Sequence, residues 1–382
     1  MLIKRKLLAF LQKSRKSLLL LGPRQTGKST LIRELKPDLE INLAEEQTYL
    51  EFARNPRELS ERLQAKSYPS VFIDEVQRLP SLLNTIQSLL DKGSVGSKFF
   101  LTGSSARKLK RGHANLLPGR IHTYELGPLA CSELKYELST HEALETGTLP
   151  GIYLDPSEEE KRKTLRSYAS TYLKEEVQAE ALTRNLEGFS RFLFFAAEHS
   201  GQFLDFTKMS SQAQVSRQSA TRYFEILEDT LIVNRCPPLT KSSRKRLIQH
   251  PKFFFFDNGV LNALLGNFSA SPDRIGHLFE HLLFNQILSG FKAIDRDFRV
   301  STYRTEHGAE VDFIVETGKN TWAIEAKASR QIGPNDLRGL KSFQEFYKKP
   351  HQAAIAYLGE AEKMIDGISV LPWQKVLEKM GI

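Results

Sequence analysis

Gly22-Pro23-Arg24-Gln25-Thr26-Gly27-Lys28-Ser29-Thr30 follows without a break on the apolar run Leu18-Leu19-Leu20-Leu21. The spacing is G-x-x-x-x-G-K-[S/T], read as an apolar strand, a glycine-rich turn and the first turn of a helix. In that context the backbone N–H groups of the turn point at an anion, and the helix amino terminus favours negative charge. Lys28 is spaced to reach the β- and γ-phosphates of a nucleotide, and Ser29 to offer its hydroxyl to Mg²⁺. The stretch therefore predicts a nucleotide cradle running from Gly22 to Thr30, with ATP and Mg²⁺ as its ligands.

Two further segments fit the same crevice. Ser70-Val71-Phe72-Ile73-Asp74-Glu75 is an apolar strand ending in two acids, with Pro69 stopping whatever precedes it. Asp74 is placed to hold Mg²⁺ and Glu75 to polarise the attacking water. Lys98-Phe99-Phe100-Leu101-Thr102 is another strand, and it runs into Gly103-Ser104-Ser105. A hydroxyl there, from Ser104 or Ser105, could meet the γ-phosphate. Arg120, in Leu117-Pro118-Gly119-Arg120-Ile121, could stabilise transferring charge, either in its own subunit or in a neighbour. Strand and helix alternate from Leu18 to Thr123, which predicts an α/β domain with a parallel sheet covered on both faces.

The chain has 382 residues, 40% hydrophobic and 26% charged, which predicts a folded protein of two or three domains. No run approaches the length of a membrane span, so no membrane partner is expected. Met1 to Phe10 faintly imitates a secretory signal, but Lys13, Arg15 and Lys16 interrupt it, and an amphipathic first helix is the better reading. Two cysteines, Cys131 and Cys236, make neither a disulfide framework nor a metal cluster, so a cytoplasmic location is expected. The formal net charge of +9 suits a polyanionic partner and equally a plain solvated surface.

These motifs together carry a family resemblance. The marks are Leu20-Leu21-Gly22-Pro23-Arg24-Gln25-Thr26-Gly27-Lys28, Phe72-Ile73-Asp74-Glu75-Val76-Gln77, Leu101-Thr102-Gly103-Ser104-Ser105 and Leu116-Leu117-Pro118-Gly119-Arg120. Tyr124-Glu125-Leu126-Gly127-Pro128-Leu129 and Gly147-Thr148-Leu149-Pro150-Gly151 continue the series. The chain resembles the bacterial and archaeal proteins that pair an AAA-type ATPase domain with a carboxy-terminal region of unknown function, the DUF4143 type. That resemblance implies an ATP-binding core, with Ser104 and Arg120 as sensor or trans-acting groups and a homo-oligomer as one possible assembly. It implies no cellular role.

Past residue 200 the pattern changes. A short helix after Phe206 and Ser210 to Ser216 lead into a helix whose apolar positions, Ala220, Tyr223, Phe224 and Leu227, lie on one face. Leu231-Ile232-Val233 and Lys252-Phe253-Phe254-Phe255-Phe256-Asp257 read as two strands around a basic loop. Helix, turn, helix, strand, loop, strand is the order of a winged helix. Arg217, Gln218 and Arg222 would face solvent, and the wing would carry Lys241, Arg244, Lys245 and Arg246. Such groups neutralise phosphates on nucleic acid, DNA rather than RNA being expected. A winged helix can equally dock a protein partner.

The last part carries Glu280 within an amphipathic helix, Asp312 in the alternating strand Glu310-Val311-Asp312-Phe313-Ile314-Val315, and Trp322-Ala323-Ile324-Glu325-Ala326-Lys327. Glu325 and Lys327 share a strand face. This is similar to the PD-(D/E)xK nuclease signature, with Val311 in place of the proline. Glu280, Asp312 and Glu325 would coordinate Mg²⁺ beside a phosphodiester, and Lys327 would orient hydroxide. Glu310 would share the face of Asp312, Gln331 or Gln344 could assist, and His281 could line the acids. The histidines show no metal-ligand spacing; His277 and His281 are four apart without a His-Glu-x-x-His pattern.

The expected architecture is therefore an AAA-type P-loop domain over 1–155, a helical lid or linker over 156–200, a winged helix over 201–265 and a restriction-endonuclease-like α/β domain over 266–382. The expected function is Mg²⁺-dependent ATP hydrolysis coupled to nucleic-acid binding, with DNA cleavage if the last domain is active. The alternative is an ATP-driven switch that binds a protein partner and carries a silent nuclease-like domain.

Overall fold

Ser17–Leu21 forms strand β1, and all five of its residues are buried. A continuous apolar run needs cover on both sides, which only an interior strand of a parallel sheet receives. The computed structural model, which describes residues 3–92, 96–104, 119–172, 185–239, 250–318 and 320–382, supplies it. Strands β2 (Leu39–Asn42), β3 (Ser70–Asp74), β4 (Lys98–Gly103) and β5 (Ile121–Glu125) join β1 in the order β2-β3-β4-β1-β5, every neighbouring pair parallel.

The two faces can be read from alternate residues. Leu19, Leu21, Val71, Ile73, Phe99 and Leu101 pack with Leu59, Leu82, Leu83 and Ile86. Leu18, Leu20, Phe72 and Phe100 pack with Leu8 and Leu11 of the first helix and with Leu31 and Ile32 of the helix Lys28–Arg33. Because β1 lies between β4 and β5, the strand order reverses beside it, and the crevice beyond the strands' carboxyl ends opens there.

The chain divides into two compact units. One comprises Leu2–Gly127 with Asp229–Ile232, and the other Pro128–Glu228 with Val233–Ile382. The boundary expected at 155 falls inside the second unit. Among the described residues no helix is long and apolar enough to cross a membrane.

In the second unit the helices Leu186–Glu198, Phe206–Ala213 and Arg217–Asp229 precede two short antiparallel strands, β6 (Val233–Cys236) and β7 (Lys252–Phe255). Asp205 caps the second of these helices, accepting from the backbone N–H groups of Thr207 and Lys208. The third buries Ala220, Tyr223, Phe224 and Leu227, the face its spacing predicts. A long helix, Ile275–Ala293, then leads into a six-stranded sheet. Its strands are β8 (Arg299–Arg304), β9 (Glu310–Thr317), β10 (Asn320–Lys327), β11 (Gln352–Tyr357), β12 (Lys363–Ile365) and β13 (Ile368–Pro372), ordered β12-β13-β11-β10-β9-β8. β8, β9 and β10 are antiparallel neighbours, whereas β10, β11 and β13 run parallel.

Register slips once, between β8 and β9. Ser301 pairs with Ile314 and Tyr303 with Val311, so Thr302 faces both Asp312 and Phe313. A bulge of this kind re-aims the side chains on the strand that carries the extra residue. It falls on the acid that the sequence singles out.

Gly22 is fixed by space. A Cβ there would stand 2.3 Å from the carbonyl oxygen of Leu126. Gly22→Ala should therefore destabilise the first unit by about 1–3 kcal/mol, as overpacking does. An unchanged urea midpoint would show that the strands can part at no cost.

Candidate nucleotide and polyanion sites

The Gly22–Thr30 turn is cradle-shaped because two residues take left-handed backbone angles, Gln25 at φ 62° and Gly27 at φ 87°. Such conformations aim successive N–H groups into one concavity. Lys28 is buried, and its ammonium donates to the carbonyls of Gly22 and Pro23, both at 2.9 Å. The Thr26 hydroxyl also donates to Pro23 O, at 2.9 Å. From outside the motif, buried Arg5 donates to the carbonyls of Thr26 and Gly127, each at 2.8 Å. Arg5 thus braces the turn against the segment after β5. Its position ahead of an ordinary apolar helix gave no hint of that.

β4 lies between β1 and β3. The hydroxyl of its Thr102 donates to Asp74 Oδ1 and accepts from the backbone N–H of Glu75 at 3.2 Å. Ser29 donates to the same Asp74 oxygen at 2.9 Å. The hydroxyl and carboxylate expected to share Mg²⁺ are therefore adjacent. Hard oxygen donors side by side fit that ion.

Glu75 sits just past β3 with φ 57°, a strained angle for a residue with a side chain. Its carboxylate accepts from the Gln77 amide and, at 3.5 Å, from the Ser104 hydroxyl; Gln77 also donates to Ser104 at 2.9 Å. The structure thus brings Ser104 to Glu75. Ser105 lies outside the described residues. Gln77 and Thr102 are additions that neither spacing nor residue type singled out.

Arg120 is elsewhere. It precedes β5, at the strands' amino ends, and its guanidinium pairs with Asp91. Ile121 pairs with Ser17, so the full length of β1, about 17 Å at ~3.3 Å per residue, separates Arg120 from the cradle. That placement sets Arg120 beside Asp91 rather than at the cradle of its own chain.

In the second unit three aromatic rings assemble an acidic centre. Phe254 of β7 stacks on Phe284 of the long helix at 4.2 Å, and Phe313 of β9 packs against both, at 6.0 and 5.7 Å. Lys252 lies two residues before Phe254, Glu280 four before Phe284, and Asp312 one before Phe313. The cluster therefore converges Lys252, Glu280 and Asp312. The Lys252 ammonium stands 2.8 Å from Glu280 Oε1, 2.8 Å from Glu310 Oε1 and 3.6 Å from Asp312 Oδ1. Asp312 Oδ2 accepts from the Ala326 N–H at 2.9 Å, and Lys327 donates to Glu325 Oε1 at 2.8 Å. Glu325 Oε2 is buried without a hydrogen-bond partner.

Burial, with repulsion from Asp312, pushes the Glu280 carboxyl up to about 7 and the Glu325 carboxyl well above its ordinary range. Burial also raises Asp312. Burial alone would lower Lys252, but the charges of Glu280, Asp312 and Glu310 outweigh it and hold the ammonium protonated.

These residues do not fit a resident divalent metal. Two of the three acids expected to bind one, Glu280 and Asp312, already hold Lys252. Among the described residues no group of three histidines, cysteines or acids is arranged to hold a metal ion. Lys252 escaped the sequence reading because it stands as the first residue of an apolar strand.

The acids line one wall of a cleft of about 1140 Å³ whose rim includes Lys208, Arg217, Arg235, His250, Arg304 and Lys327. Arg217, expected to face solvent on the second helix of a winged helix, is among the residues that line it. Arg222 is exposed but does not line it, and Lys208, Arg235 and Arg304 were not foreseen. Lys241, Arg244, Lys245 and Arg246 lie outside the described residues. Gln331 and Gln344 are exposed and off the cleft. His281 is fully buried 2.9 Å from Asn258 Oδ1 rather than lining the acids, and burial keeps it neutral.

Comparison with known proteins agrees with this division. The AAA domain matches residues 14–135. The chain carries an AAA domain. A domain of unknown function, DUF8612, matches residues 138–271, and a second, DUF4143, matches residues 275–376. The DUF4143 match thus begins at the long helix rather than taking in the whole region after the AAA domain. Uncharacterized proteins of Mycobacterium tuberculosis and Mycobacterium bovis are each 27% identical over 370 residues, covering 94% of this chain and 80% of theirs. A signal-transduction ATPase with a tetratricopeptide repeat sensor from Pyrococcus horikoshii is 11% identical with a TM-score of 0.29. It covers 76% of this chain, which spans about half, 47%, of that protein. The AAA domain implies nucleotide binding and supports ATPase activity in general.

The acidic centre predicts a pH signature. A carboxyl raised from 4.5 to about 7 on folding adds stability that is fully present below about 4.5 and is lost as pH rises through about 7. The stability of wild-type protein relative to Glu280→Gln should therefore fall across that window. Urea midpoints at successive pH values would show it, and a flat difference would contradict the shift.

Proposed function

We propose that the chain is a Mg²⁺-dependent ATPase whose turnover is coupled to binding nucleic acid in the cleft of the second unit. The observation that carries the ATPase reading is the shared oxygen of Asp74, which joins Ser29 of the cradle to Thr102 and the turn bearing Glu75. The Gly22 and Pro23 carbonyls hold the Lys28 ammonium at the cradle until phosphate oxygens replace them. Backbone N–H groups of the turn bind the β-phosphate. Ser29 and Asp74 would hold Mg²⁺, which supplies charge stabilisation to the phosphoryl oxygens when bound. Glu75 takes the proton of the attacking water as the bond between the γ-phosphorus and the bridging oxygen breaks, leaving ADP and phosphate. Ser104 orients the γ-phosphoryl group or that water.

Two variants separate binding from chemistry. Lys28→Ala should weaken nucleotide binding, read by fluorescent-nucleotide titration. Glu75→Gln should still bind ATP but lose about 10²–10⁴-fold in phosphate release, the usual contribution of a positioned base. Normal turnover in both would refute the mechanism.

For the second unit we read the helix–turn–helix and β6–β7 pair as a winged helix and the six-stranded sheet as a nuclease-like fold. Support comes from the convergence of Arg217, Arg235, Lys208 and Arg304 on one cleft, where they can follow a phosphate chain. Because Lys252 stands among the acids, binding rather than cutting is the reading proposed, with DNA as the chain bound. Its test is salt dependence. Replacing Arg217 should weaken DNA binding about equally across sequences and reduce the log–log salt slope by about 1. Absence of binding at physiological salt would favour a protein partner instead.

A further inference from the structure

We infer that Lys252 is the resident cation of the carboxy-terminal acidic centre, a tethered ammonium that takes the place of a divalent metal and keeps one out. The inference deepens the binding reading above, since a cleft without its metal can hold a phosphate chain without hydrolysing it.

Stoichiometry is the first argument. An ammonium has three N–H donors. Three carboxylates surround this one, with oxygens of Glu280 and Glu310 at 2.8 Å and of Asp312 at 3.6 Å. The Glu280 and Glu310 oxygens stand at hydrogen-bonding distance and that of Asp312 at ion-pair distance, and the side chain is only 6% exposed.

Anchoring is the second. A lysine on a mobile loop would yield to a metal. Lys252 opens β7, whose four residues are all buried, and bridges to Phe203 by backbone pairing. Its ammonium lies 5.5 Å from the ring centroid of Phe203, whose ring also stacks under Arg304 at 4.9 Å. Withdrawing Lys252 would strand the carboxylates of Glu280, Glu310 and Asp312. Losing one partner from such a buried set is strongly destabilising.

Charge is the third. Lys252 supplies the positive charge between Glu280, Glu310 and Asp312, while Arg304 stands 3.6 Å from Glu310 and Lys327 2.8 Å from Glu325. Without Lys252 the oxygens of Glu280, Glu310 and Asp312 lose the cation between them, and Glu325 Oε2 stands as a buried oxygen lacking a hydrogen-bond partner. The lysine therefore separates a metal-free centre from a metal-binding one.

The test is Mn²⁺ titration of the full chain without nucleotide, followed by electron paramagnetic resonance. An Asp74→Asn background silences the amino-terminal position. With Lys252 intact no stoichiometric Mn²⁺ should bind. Lys252→Met should gain one equivalent, at least about tenfold tighter, and adding Glu280→Gln should abolish the gain. Lys252→Arg should behave as the parent. Lys252→Gln serves in place of Lys252→Met if the latter does not fold by circular dichroism. Stoichiometric Mn²⁺ in the parent that disappears with Asp312→Asn would overturn the inference. So would a folded Lys252→Met or Lys252→Gln protein that gains no metal. DNA binding in EDTA is measured separately; its failure would sink the cleft reading and leave the metal result standing.

Discussion

Taking a lysine ammonium out of water costs several kcal/mol unless oxygens replace its lost hydration. Lys28 and Lys252 are both 5% exposed, and each is surrounded by oxygens of a different kind. Lys28 rests on two backbone carbonyls, neutral acceptors that a phosphate can outcompete. Lys252 rests on carboxylates, charged acceptors that hold it far more tightly. The first arrangement suits a group that must change partners in every cycle. The second suits one that stays.

Each lysine reaches its place through packing rather than through its local sequence. Lys28 begins a helix whose Leu31 and Ile32 lock it onto one face of the parallel sheet. The sheet order then sets Thr102 of β4 beside the end of β3, where its hydroxyl and that of Ser29 share one Asp74 oxygen. Lys252 depends on the Phe254–Phe284–Phe313 cluster, which draws a strand, a helix and a bulged strand to one point.

What was legible in the sequence follows from the same physics. The nucleotide cradle is local: its turn, lysine and hydroxyl lie within one run of chain, so spacing alone reveals them. Asp74 and Glu75 end a strand and could be read for the same reason. Arg5, Gln77 and Thr102 act through contacts across the fold, and nothing in their immediate neighbours marks them. In the second unit Asp312 was visible within an alternating strand, and Glu325 and Lys327 because an i,i+2 spacing puts them on one strand face. The bulge opposite Thr302 was hidden, since an extra residue leaves the apolar pattern nearly intact. Lys252 looked like the solvated start of an apolar strand, and only tertiary assembly reveals three acids around it. His281 went the other way: its helix position suggested that it could line the acids, but asparagines hold its ring.

ATP binding requires Lys28 to exchange carbonyls for phosphate. A crystal structure with Mg²⁺ and a non-hydrolysable ATP analogue tests this directly. The expected result is the analogue's β- and γ-phosphates within the turn from Gly22 to Thr30, with the Lys28 ammonium lifted from Gly22 O and Pro23 O onto phosphate oxygens. Ordered analogue bound elsewhere, with Lys28 still seated on both carbonyls, would contradict it.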